Sequence, residues 1–306
     1  MSKRTLSWIL LVFLALIWGS SFILMKRAMF TMDGAPLFND TQVGALRMFL
    51  AAVALLPFSL KHLSTLRDWR TIGKLAIVGF CGNFFPAFLF TYAETGISSG
   101  YAGMLNSCTP IFSILIGAFI FKDKLSRIQF IGISIGTIGV ISLMLAGQDL
   151  SISGNWTHIL AVVLATLCYA ISLNTIRHTL SHLKSVQIAS LAFLVTLLPS
   201  TVIAWQQDVI GTLSETAGAS QGLIAVIILS IVGTAFALIV FNRMIAISSV
   251  VFASSVTYLI PIVAVIIGIS FGETINLWQI LSMGIVISGV FIANAPKRRK
   301  TSRKFD

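Results

Sequence analysis

Two ionisable side chains stand inside otherwise apolar stretches of this 306-residue chain. Arg47 falls about five residues into an apolar run, hence roughly 7–8 Å from its end at 1.5 Å per residue. A guanidinium at that depth can clamp the carboxylate of a solute in bidentate fashion. The plainer alternatives are that it snorkels outward or pairs with an acid for structural reasons. Glu94 ends a face that carries Asn83, Ala87 and Phe90 at helical spacing. Such a polar and aromatic strip, aimed at the centre of a bundle, suits a solute the size of an amino acid. Buried, the Glu94 carboxylate would be a group for proton coupling; solvated in a headgroup zone, it would have no such role.

Other faces carry weaker signals. Asn106, Pro110, Ser113 and Gly117 share one helical face, and Thr257, Pro261, Ala264 and Gly268 share another. Buried amide and hydroxyl groups need partners, so Asn106 and Thr257, with neighbouring Tyr258, are expected to line a cavity. Ser113, Ala264 and the two glycines read as close helix packing. Pro110 and Pro261 fall near mid-span, where proline removes a hydrogen bond and kinks the axis; they are either moving hinges or static kinks. Trp18, Ser21 and Met25 share a face, as do Tyr169 and Ser172, with Asn174 well off it. Trp18 and Tyr169 are pathway residues on one reading and core packing on the other.

Catalytic and metal-binding signatures are absent from the sequence. The ten acidic residues are scattered, whereas an enzyme needs a nucleophile, base or acid within mutual reach. His178 and His182 are four apart, but no glutamate completes an HExxH motif. Cys81, Cys108 and Cys168 each lie in an apolar run without CxxC spacing and read as buried thiols. No GxxxxGK[ST] motif occurs. Neither a metal nor a cofactor is expected.

The elements that must position these residues span a bilayer. The chain is 57% hydrophobic and 10% charged, against about 25% charged for a soluble domain. Apolar runs at 7–28, 42–60, 73–93, 100–121, 127–146, 157–177, 186–206, 221–243, 250–271 and 277–295 predict ten transmembrane helices. The first follows Lys3 and Arg4 like a signal peptide, but it is too long for one and is read as a span. With the N-terminus inside, only Lys26, Arg27 and Arg47 of the 21 lysines and arginines fall outside. This is the positive-inside pattern, with both termini cytoplasmic. The net charge of +11 is therefore a topology signal and does not point to nucleic acid. The basic tail at 297–306 either touches anionic lipid or marks the inside.

The chain also repeats itself. "PIFSILIGAFIFKD" at 110–123 lines up with "PIVAVIIGISFGE" at 261–273, pairing Pro110 with Pro261, Gly117 with Gly268 and Asp123 with Glu273. Gln129 pairs with Gln279, and Gly139-Val140 with Gly289-Val290. "ALIWGSSFILMKR" at 15–27 matches "ATLCYAISLNTIR" at 165–177. Five helices per half is an odd number, so the second copy enters the membrane upside down, as in many secondary transporters. The expected units are residues 1–150, the inverted 151–296 and the tail. Glu273 is expected to mark the outer surface where its span ends.

With Trp18-Gly19 in the first helix, Arg47 early in the second, the paired endings of helices four and nine, and "GE" at 272–273 before "WQILSMGIVISGV", the chain resembles the drug/metabolite transporter superfamily, EamA type. In the first copy "KDK" stands where Gly-Glu is usual. The resemblance implies an all-α bundle of ten helices around a central cavity, moving small metabolites. It implies export of amino acids or related compounds across an inner membrane. The alternatives are an enzyme acting on lipid-linked substrates and an uncoupled facilitator. The expected partners are a small-molecule solute and the lipid bilayer; the sequence leaves the oligomeric state open.

Overall fold

The computed structural model describes residues 2–146, 156–248, 252 and 256–293. Among them, regular structure is helical, apart from one isolated bridge between Phe30 and Pro36. Eight helices are long and apolar enough to cross a membrane: α1 (Lys3–Met29), α2 (Asp40–Leu60), α3 (Trp69–Glu94), α4 (Ser99–Phe119), α5 (Arg127–Ala146), α6 (Trp156–Thr179), α7 (Ser185–Gln206) and α8 (Ala219–Phe241). Two shorter apolar helices follow, α9 (Val256–Ser270) and α10 (Leu277–Ala293). Both shorter helices adjoin positions outside the described residues: the expected ninth span began at 250, and the tenth ran to 295. The expected unit boundary at 150 and the basic tail also lie outside them.

Local sequence fixes the helix starts. Asn39 accepts from the Gln42 amide at 2.7 Å while the Gln42 side chain accepts from the Asn39 amide at 2.9 Å, a reciprocal cap for α2. Asp68 caps α3. The Thr71 hydroxyl donates to it at 2.7 Å, and together with the Arg70 amide holds its carboxyl below the ordinary carboxylate range.

Large apolar side chains face outward in a way a soluble protein does not tolerate. Phe130, Ile138, Leu198 and Phe291 are all more than half exposed. Trp205 and Trp278 stand at helix ends, where indole suits the membrane interface.

Inside the bundle, small residues let backbones touch. On α5 and α10, a Cβ at Gly289 would stand 2.6 Å from the Gly136 Cα, and one at Gly139 would stand 2.7 Å from the Val286 nitrogen. Ser142 and Ser282 share a hydrogen bond of 2.7 Å across the same seam. Without a hydrophobic drive between helices in lipid, such close approach is what holds a pair together. Likewise Gly103 backs onto Ala264, so the packing role expected for Ala264 is its observed one.

The duplicated prolines do not behave alike. Helix α4 is interrupted at Ser107–Cys108, and Pro110 sits in the first turn of the segment that resumes at Thr109. There its missing N–H costs nothing, and the Thr109 hydroxyl satisfies the Asn106 carbonyl at 2.9 Å. The expectation of an interior kink at Pro110 is thus corrected to a break. Pro261 does lie inside a helix, buried.

The helix ends after Gly117 and Gly268 turn back by the same device. The Asp123 amide donates to the Gly117 carbonyl at 3.0 Å, and the Glu273 amide to the Gly268 carbonyl at 2.9 Å. Each turn needs a left-handed residue. Gly272 supplies it at φ +84°, and Lys122 at φ +62°. The lysine carries the strain of that region, so Lys122→Gly is expected to stabilise the fold by roughly 0.5–1 kcal/mol after the entropy cost of glycine. A thermal melt in detergent reads this as a raised midpoint.

Candidate functional site

Helices α3 and α8 each contain one widened π-turn, at Phe80–Phe84 and Ile231–Phe236. The two lie an offset of about 150 residues apart, the spacing of the sequence repeat. Each places a glycine against a serine of a first helix in the opposite half: Gly82 against Ser172, and Gly233 against Ser21. Such turns recur at functional sites because they expose backbone that a regular helix hides. Here the Gly233 carbonyl accepts from the Trp18 indole at 3.1 Å, and the Trp18 ring leans on Phe241.

Next to Gly233, the Thr234 hydroxyl accepts from Arg47 Nε at 3.4 Å, while Arg47 Nη1 reaches Met25 Sδ at 3.4 Å. The guanidinium therefore points into the bundle, and the outward-snorkelling alternative is overturned. Among the described residues no carboxylate forms an ion pair with it. Tyr169 and Glu94 lie within its electrostatic reach. Tyr169 is half-buried and stacks near-parallel on Phe90 at 6.0 Å; Phe90 is buried and meets Phe22 edge-on.

Glu94 is 1% exposed. A carboxylate wet in the headgroup zone was one of two expectations, and the structure corrects it. The short turn from Thr95 to Ser98 folds α4 back over α3, so Ser99 Oγ donates to Glu94 Oε2 at 3.2 Å. The other oxygen, Oε1, is buried with no hydrogen-bond partner among the described residues. Lys26, Glu273 and Arg47 surround the carboxylate electrostatically. A cavity of about 780 Å³ opens here, lined by Lys26, Glu94, Ser98, Tyr101, Glu273 and Gln279, among others.

Trp18, Arg47, Phe90, Tyr169 and Glu94 are thus brought together. The remaining predicted residues are placed as follows. Asn83 is half-buried inside the α3 π-turn. Asn106 lies at the α4 break, where its side-chain oxygen accepts from the Thr109 hydroxyl at 3.5 Å. Thr257 is half-buried on α9, and Tyr258 packs against the cluster of Cys108, Ile111 and Val286.

Two groups were missed by sequence reasoning. Asn174, set aside as off its face, is buried. It donates to the Ser113 carbonyl at 2.8 Å and to the Ala170 carbonyl at 2.9 Å, tying α6 to α4. Glu273, expected at the outer surface, has a side chain only 9% exposed and is paired with Lys26 at 3.5 Å. It accepts from the Ser99 and Gly100 amides at 2.8 Å each. The duplicated acid after each Gly-containing helix was the available signal. All three cysteines are free; Cys108 is buried, whereas Cys81 and Cys168, expected as buried thiols, are half-buried.

Comparison with known proteins places this architecture. The chain is 25% identical over 288 residues to the uncharacterized inner membrane transporter YedA of Escherichia coli K12, covering 93% of this chain and 89% of that protein. It is 30% identical over 148 residues to the probable amino-acid metabolite efflux pump of Salmonella typhimurium LT2, covering 47% of this chain and 46% of that one. A crystal structure at 16% identity shares the fold with a TM-score of 0.61, across 97% of this chain and 100% of its own. The model of the EamA-like transporter family matches residues 6–145 and again 156–295. A double match spanning nearly the whole of a multi-pass helical chain leaves one assignment: the protein belongs to the EamA-like transporter family, of the drug/metabolite transporter type.

Proposed function

We propose that the protein is a secondary transporter that exports amino acids or closely related metabolites across an inner membrane. On this reading ten helices span the bilayer as two inverted halves, with both termini cytoplasmic, and the halves rock to expose a central site alternately. The observation that carries the reading is Arg47: a guanidinium turned into the bundle, beside Tyr169 and Glu94, with no carboxylate paired to it among the described residues. A fixed fork of donors is what a solute carboxylate requires. Phe90 and Trp18 would supply apolar walls, and Asn83, Asn106, Thr257 and Tyr258 would meet the solute along its path. Pro261 would let α9 bend, and the break before Pro110 would let α4 do so. The Salmonella relative, named a probable amino-acid metabolite efflux pump, supports the choice of solute.

Glu94 would carry the coupling proton. Its buried Oε1 has no donor to lose on protonation. Glu94→Gln is therefore expected to keep solute flux but to abolish its dependence on an imposed pH gradient. Flux that still responds to the gradient in the glutamine variant would remove Glu94 from the coupling. A wild type indifferent to the gradient would favour facilitation. Uptake of labelled amino acids into liposomes holding the purified protein tests the function itself; no solute-dependent flux across a broad panel, with folding verified, would sink it.

A further inference from the structure

The two halves close on each other through a matched pair of charged contacts. At one end, Lys26 at the end of α1 pairs with Glu273 at 3.5 Å, and the Arg27 guanidinium lies over the Phe271 ring at 5.4 Å. At the other end, Arg177 near the end of α6 pairs with Asp123 at 3.3 Å, and the His178 ring stacks on Phe121 at 4.2 Å. The acids correspond under the sequence repeat, offset by 150 residues, while the basic partners stand one position out of register: Lys26 aligns with Ile176, and Arg177 with Arg27. In both, the basic residue comes from one half and the acid from the other. Each acid also turns back onto a glycine of its own helix: Glu273 onto Gly268 and Asp123 onto Gly117.

The two contacts differ in how firmly they are made. Glu273 is 9% exposed at its side chain and receives the Ser99 and Gly100 amides at 2.8 Å each. It therefore caps the start of α4, an orphan-donor site where a negative charge is favoured. Asp123 is 33% exposed at its side chain, and its partner Arg177 is 71% exposed. Among the described residues, Asp123 receives only the side chains of Arg177 and His178 and no backbone amide.

We infer that Glu273 and Asp123 are the two latches of the transport cycle, each closing one end of the bundle by gripping the opposite half. The described conformation holds both contacts, the one at Glu273 buried and backed by two amides and the one at Asp123 half-exposed and made by side chains alone. The inference rests on the alternating-access reading above and adds to it the residues that hold each state. On the proposed topology the Glu273 latch closes the outer end. Solute that reaches Arg47 and Tyr169 would then be barred from that end until Glu273 lets go of α4 and Lys26.

The test follows the two ends separately. Spin labels at exposed Thr95 and Thr274 report the Glu273 end, and labels at exposed Lys124 and Ser181 report the Asp123 end. Distances are measured by electron–electron double resonance on the full chain in liposomes, with the three native cysteines replaced by alanine. Glu273→Gln keeps the shape but loses the ion pair and presents an amide group to the Ser99 and Gly100 amides. It is expected to lengthen the first distance and shorten the second, with a several-fold gain in the outer-open population. Asp123→Asn is expected to leave the first distance short. Lys26→Met, which leaves the backbone bonds in place, should shift populations the same way as Glu273→Gln and decides the matter if that variant does not fold. Unchanged distances in the folded Glu273→Gln or Lys26→Met protein, or lengthening at both ends together, would overturn the latch. Lengthening of the first distance by Asp123→Asn would overturn it too. These distances need no solute. A distance shift without amino-acid flux would therefore reject only the proposed solute, and flux without a distance shift would reject only the latch.

Discussion

Arg47→Ala is expected to lower solute flux by a factor on the order of 10–100, with little loss of folded protein. The magnitude follows from the charge-assisted hydrogen bonds a guanidinium gives a carboxylate, about 1.5–3 kcal/mol when one partner is removed. The folding cost is small because the observed bonds of Arg47 are long, at 3.4 Å to Thr234 and 3.4 Å to Met25. Arg47→Lys is expected to recover part of the flux, since an ammonium keeps the charge but lacks the planar fork. An amine analogue of the solute, lacking the carboxylate, separates this role from a general one. It should move poorly through the wild type and no worse through the alanine variant. Initial rates of uptake into liposomes, at matched protein content, give all five values. If the amine loses as much as the amino acid, Arg47 supports the fold of the site and does not grip the carboxylate.

The second large effect is on assembly of the bundle. Gly289→Leu is expected to destabilise the protein by about 3 kcal/mol or more, at the upper end of overpacking costs. The reason is what the new side chain meets. At Gly289 the nearest atoms are the backbone of Gly136 and Gly132, which cannot rotate away as a side-chain tip can. Gly284 on the same helix has nothing within 4 Å of its would-be Cβ. Gly284→Leu is therefore the matched control and should be nearly neutral in a membrane. Size-exclusion profiles and thermal midpoints in detergent compare the two. Equal losses at both positions would mean that α10 dislikes leucine for reasons other than the α5 seam.

Much of the scaffold could be read in advance because bilayer physics is written in composition. Spans such as 127–146 and 186–206 coincide with α5 and α7 to within a residue, since a long apolar run has few other solutions. The duplicated glycines and acids announced matched helix ends, and "KDK" announced the one that departs; the departure surfaced as a left-handed Lys122. What the sequence hid depends on three dimensions. Glu94 looked more like a headgroup residue than a coupling group because its depth is set by the turn at Thr95–Ser98, which folds α4 over it. Pro110 and Pro261 were alike in sequence, yet one follows a break and one sits within a helix. Asn174 lay off the expected face, but that face was drawn through Tyr169 and Ser172; α4 packs on another side of α6, and there Asn174 finds the Ser113 carbonyl. Gly82 and Gly233 were not singled out at all, since a π-turn leaves no mark at helical spacing.

On the proposed mechanism one site at Arg47 and Tyr169 is exposed to the two sides of the membrane in alternation. Counterflow tests it most directly. Liposomes holding the protein are loaded with unlabelled amino acid, diluted into a trace of the labelled form, and sampled over time. Alternating access predicts a transient accumulation of label above its equilibrium level, because the internal solute drives exchange through the same site. It also predicts that the overshoot is lost in Arg47→Ala. Label that rises monotonically to equilibrium, or an overshoot that survives Arg47→Ala unchanged, would contradict the account.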